Sequence, residues 1–86
     1  KFSWFYVPKR DADYLKRNAI IALANNPLPN SYELFNQLLY SDSEIIRLYS
    51  VWALWRVDRL NSINKETFYQ REISQNVIHE FDLLIK

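Results

Sequence analysis

The stretch LKRNAIIALAN, Leu15 to Asn25, decides how the chain folds. A basic pair leads into an almost unbroken apolar run, with no proline to interrupt a helix and no period-two alternation to suggest a strand. At about 100° per residue, Leu15, Ala19, Ala22 and Leu23 share one side of that helix, while Ile20, Ile21 and Ala24 lie across the other. A helix that is apolar nearly all round is expected to be buried on two sides.

Working outward, this first helix spans about Asp11 to Asn25, entered after Pro8 and stopped by NNPLPN, where Pro27 and Pro29 cannot continue it. A second is predicted from Ser31 to Tyr40, with Asn30 as N-cap and Glu33 three residues on. A third opens at SDSE, where Ser41 and Glu44 have capping-box spacing and Asp42 is a rival cap, and reaches about Arg59. Asn61 to Asn64 break the chain before a long fourth helix to the C-terminus, striped by Tyr69, Ile73, Val77, Phe81 and Leu84. No segment has a strand pattern, so the fold class is all-α.

A shift of 31 residues lays the third helix on the first without a gap. Asp11 falls on Asp42, Leu15 on Ile46, Lys16 on Arg47, Ala19 on Ser50, Ile20 on Val51, Ala22 on Ala53 and Leu23 on Leu54. An internal period of this length is the signature of a helical repeat, whose inner helices are covered by their own partners and by neighbouring repeats. The expected architecture is an α-α superhelix of about two stacked helical hairpins closed by the long C-terminal helix. Trp52 and Trp55, on the third helix, are then expected in the core.

Composition narrows the chemistry. Eighty-six residues, 49% of them apolar, make one domain able to bury a core. There is no cysteine and one histidine, His79, so no thiolate or histidine-rich metal site is expected. The absence of glycine excludes the P-loop and the dinucleotide-binding turn, both of which need it. A formal charge of +1 confines any nucleic-acid contact to a local patch. No apolar run approaches the roughly 20 residues of a membrane span, and no basic-then-apolar stretch precedes a small-residue cleavage site, so no membrane partner and a cytoplasmic location are expected. The chain opens on Lys1 and not Met, as the C-terminal part of a longer protein would.

YLKRNAIIALANN and SDSEIIRLYSVWALWRV together resemble the C-terminal HEAT-like repeats of epoxyqueuosine reductases. The resemblance rests on Trp4, then Arg17, Asn18, Ala19, Ile21, Ala22 and Leu23, then Asp42, Arg47, Val51, Trp52, Ala53 and Leu54, and covers about residues 4–57. Ala24, Leu48 and Trp55 stand where that family usually has glycine, so close helix contacts there would be repacked. The resemblance implies a parent similar to a tRNA-modifying oxidoreductase of queuosine biosynthesis, whose cobalamin and iron-sulfur clusters belong to preceding domains. This segment would then be non-catalytic and hold no cofactor. Its partners would be the upstream catalytic domains and tRNA. The rival expectation is a protein-protein interaction scaffold built of the same repeats.

Contact residues are sought where positive charge departs from the repeat. Arg17 and Asn18 align with Leu48 and Tyr49, so the repeat does not require them, whereas Lys16 and Arg47 recur with Asp11 and Asp42 and read as structural pairs. Lys9 and Arg10 lie beside Trp4, Phe5 and Tyr6, a mixture that can grip phosphates and stacked bases. Arg56 and Arg59, with Lys65 beyond them, extend a possible basic rim. The candidate contacts to nucleic acid or to a neighbouring domain are therefore Lys9, Arg10, Arg17, Asn18, Arg56 and Arg59. His79 has no serine or acid constellation around it, and Glu80 and Asp82 point to different helix faces, so no catalytic residue is assigned.

Overall fold

The computed structural model describes residues 9–85, with side chains from residue 12 onward. These residues are all-helical: α1 (Lys9–Asn25), α2 (Ser31–Leu38), α3 (Glu44–Arg56), a 3-10 turn (Leu60–Ser62), α4 (Lys65–Arg71) and α5 (Gln75–Leu84). No helix among them is long and apolar enough to cross a membrane.

Each boundary has a local cause. α1 ends at NNPLPN as the sequence implies, and the loop is held by the Leu28 N–H donating to Ser31 Oγ at 2.8 Å. The Asn30 side chain makes no capping bond. At the start of α3 the cap is Ser43, whose Oγ accepts from the Ile46 N–H, so neither Ser41 nor Asp42 caps it. Ser41 instead receives the Ser43 N–H. α3 stops at Arg56 and not Arg59 because Asp58 turns left-handed, at φ 64°. The Arg59 N–H then donates to the Leu54 carbonyl at 2.7 Å and the Asp58 N–H to that of Trp55 at 3.0 Å, which is a Schellman closure made without glycine.

The expected long C-terminal helix is two helices. Residues 72–74 are extended between α4 and α5, and Ser74 caps α5 by accepting from the Val77 N–H. The break follows from Glu72, whose buried carboxylate accepts from Arg47 Nε at 3.0 and 3.2 Å and from the Ser74 N–H at 2.9 Å. A helical path through 72–74 would deny Glu72 both partners. Ile73, placed on the predicted apolar stripe, is 87% exposed as a result, while Val77 and Phe81 are buried.

α3 is the centre of the fold. α1 and α5 pack on it, and α2 packs against it as well. Its buried residues Ile46, Ser50, Val51, Ala53 and Leu54 meet Ile20 and Ala24 of α1, Phe35 of α2, Phe68 of α4, and Val77 and Phe81 of α5. Phe68 and Phe81 stack at 4.1 Å between ring centroids, joining α4 to α5. Each such apolar side chain contributes about 1.5–3 kcal/mol on burial. Ser50 is satisfied in the core by donating to the Ile46 carbonyl at 2.7 Å.

The predicted two-sided burial of α1 is corrected. Ile20 and Ala24 are buried, but Leu15 is 40% exposed and Ala19 and Ala22 are exposed, because α3 covers one side of α1 among the described residues. Trp52 is half-buried and packs against the core, whereas Trp55 is 41% exposed and does not.

The 31-residue period runs further than the first and third helices. Asp13 of α1 accepts a hydrogen bond from the cap hydroxyl of Ser43, and Glu44 of α3 accepts one from the cap hydroxyl of Ser74. Asp13 to Glu44 and Ser43 to Ser74 are both steps of 31, so α5 meets α3 in the register in which α3 meets α1. The shared register makes α1, α3 and α5 a row running in one direction, start beside start.

Candidate binding face

The row places equivalent positions side by side across one face. Arg17, Leu48 and His79 are three such positions, Asn18, Tyr49 and Glu80 three more, and Ile21, Trp52 and Leu83 a third set. The scaffold does not require these residues to differ as they do. Across the face, charge runs from the arginine on α1 to the carboxylate on α5, with two aromatics on α3 between them.

Arg17 is ordered at one side. Its Cζ lies 4.9 Å from the Tyr14 ring centroid and 5.5 Å from that of Tyr49, and its Nη2 donates to Asn18 Oδ1 at 3.0 Å. Its Nε is buried with no hydrogen-bond partner. Asn18 Oδ1 is thereby engaged by Arg17. Between the three helices is a depression of about 350 Å³, lined by Ile21 and Asn25 of α1, Leu48, Tyr49 and Trp52 of α3, and Glu80 of α5. A wider and more open groove of about 600 Å³ lies between α2 and the start of α4, lined by Tyr32, Asn36, Gln37 and Asn64 among others.

The remaining candidates do not converge. Lys9 and Arg10 form the first turn of α1, and their side chains lie outside the described residues, as do the aromatics at positions 4–6. Arg56 is exposed in the last turn of α3, and Arg59 beyond it lies 4.8 Å from the Tyr32 ring centroid, over α2. Because α1 and α3 run in one direction, the first turn of α1 and the last turn of α3 are at opposite ends of the row. The 13 residues of α3 alone span about 20 Å. Lys65 is exposed at the start of α4.

Arg47 is structural, but its partner is not Asp42. It pairs with Glu72, side chains 13% and 2% exposed, and its Nη1 donates to the Ser41 carbonyl at 2.8 Å. Lys16, its counterpart in the repeat, is exposed, and the Asp11 side chain lies outside the described residues. His79 is exposed. The described residues contain no group of three His, Cys, Asp or Glu able to hold a metal ion.

Sequence reasoning singled out Arg17 and Asn18 but not Tyr49, Trp52 and Glu80, which line the depression. The signal was present in the 31-residue shift: carried one step further, it lays Ser43 on Ser74 and Tyr49 on Glu80. The expected long helix concealed it, because the step needs a cap at Ser74. Set against family models, curated proteins and solved structures, the chain matches none.

Proposed function

We propose that the chain is a non-catalytic docking module with HEAT-like stacking, which holds a protein surface on the face formed by α1, α3 and α5. The observation that carries this reading is the depression around Tyr49 and Trp52, where half-buried aromatic surface sits between an ordered arginine and a carboxylate. Aromatic anchors with polar groups at the margin suit a protein partner. Resemblance to the epoxyqueuosine reductases points to the preceding domains of a tRNA-modifying parent as that partner.

One observation favours a second reading, in which the face holds tRNA within such an enzyme. Arg17 is held by two rings and Asn18, so little side-chain entropy is lost when it meets an anion such as phosphate. Against it stands the scatter of Lys9, Arg10, Arg56 and Arg59, which do not form a continuous basic track.

Photo-crosslinking in the native host separates the two. A benzophenone side chain at Tyr49, with one at Leu34 on α2 as control, is expected to give protein adducts from position 49 alone. RNA adducts from position 49 would establish the second reading. Equal adducts from both positions, or none from 49, would overturn the docking face.

A further inference from the structure

We propose that the depression between α1, α3 and α5 receives the lysine or arginine side chain of a partner polypeptide. This rests on the docking reading and adds the chemistry of what enters the pocket. Glu80 is half-buried, and among the described residues its carboxylate has no hydrogen bond or ion pair. A carboxylate beside apolar walls such as Ile21 and Leu48 gains more from a cation than one in open water does. The nearest arginine on this face is already engaged, since Arg17 is bonded to Asn18 and stacked on Tyr14 and Tyr49.

The rest of the lining fits the same ligand. Trp52 adds an aromatic wall, Trp being the strongest partner for a cation, beside Tyr49, whose ring already has Arg17 over it. Ile21 and Leu48 provide apolar surface for the methylene stem that lysine and arginine bury beneath their charged heads. The Asn25 amide adds a carbonyl able to accept a hydrogen bond from an ammonium or guanidinium. At about 350 Å³ the space lies at the small end of ligand sites and has room for a long side chain. Arg17 sets the direction of entry: one helical turn before Ile21, it repels a second cation, so the incoming charge settles toward Glu80.

The test is a two-dimensional NMR titration of the ¹⁵N-labelled chain with a glycine pentapeptide carrying a central arginine, blocked at both ends. The control is the same peptide with neutral citrulline in place of arginine. Up to about 10 mM, the arginine peptide is expected to give saturable shifts at Ile21, Tyr49, Glu80 and the Trp52 indole, with the citrulline peptide about tenfold weaker. Glu80→Gln should reduce the arginine peptide to the citrulline level while keeping the dispersed spectrum of the folded chain. Equal binding of the two peptides, no saturable shift, or shifts confined to other surfaces would overturn the proposal. The citrulline comparison on the unsubstituted chain decides it even if Glu80→Gln unfolds. Protein adducts from Tyr49 without arginine selectivity would leave the docking face standing and sink the cation pocket alone.

Discussion

Asp58 shows at the scale of one residue what a chain without glycine must do. The turn that ends α3 needs a left-handed residue, and an L-residue with a Cβ pays roughly 1–2 kcal/mol to be there. Aspartate is among the residues that tolerate this conformation best, because its short polar side chain can bond locally. The two Schellman hydrogen bonds to Leu54 and Trp55 hold it in place. Asp58→Gly should therefore stabilise the protein by about 0.5–1 kcal/mol, a net gain after glycine's greater unfolded-state entropy. Asp58→Val should destabilise it by more than that. Urea denaturation of the three proteins checks both, with an unchanged dependence on urea concentration showing that stability has shifted without a change in the surface exposed on unfolding.

Among the elements, the division between α4 and α5 is the feature that the local sequence least reveals. Tyr69, Ile73, Val77, Phe81 and Leu84 keep helical spacing straight through the break, and no proline or glycine marks it. The cause lies 25 residues back, in Arg47, which binds Glu72 from the middle of the molecule. A nearly dry ion pair gains little over an apolar pair of the same shape, but removing one partner strands the other charge. Arg47→Met is accordingly expected to cost about 3–5 kcal/mol, and Arg47→Met with Glu72→Leu to recover most of it. Thermal unfolding of the single and double variants measures this, and a double variant as unstable as the single one would refute the account. Since small domains hold only about 5–15 kcal/mol in total, the single variant should lose a large fraction of the stability of the fold.

For the whole molecule, adjacent helices are linked by repeated bonds in which the cap hydroxyl of one helix donates to a carboxylate of the helix before it in the row. The second of these is coupled to pH. Bonds from Ser74 first, then from Asn76, hold the Glu44 carboxyl below its ordinary value of 4.5, with Arg47 aiding at longer range. A group whose folded pKa is depressed contributes stability that is present above its unfolded pKa and is lost as the pH falls through the lower folded value. Urea midpoints should thus fall as the pH drops below about 4.5, and Glu44→Gln should show a smaller fall over that window. Equal falls in the two proteins would show that the α3–α5 bond adds nothing to stability. The sequence by itself determined the helical class, the proline stop after α1 and the 31-residue period linking α1 with α3, because these follow from periodicity, missing N–H groups and side-chain type along a continuous stretch. It also singled out Arg17 and Asn18, through their departure from the repeat. Only the tertiary structure decided that Ser43 and not Ser41 caps α3, that Glu72 divides the last helix, that Leu15 and Trp55 face outward, and that Tyr49, Trp52 and Glu80 share a pocket. Each of those outcomes depends on a partner far along the chain, and a partner enters the energy balance only once the helices have packed.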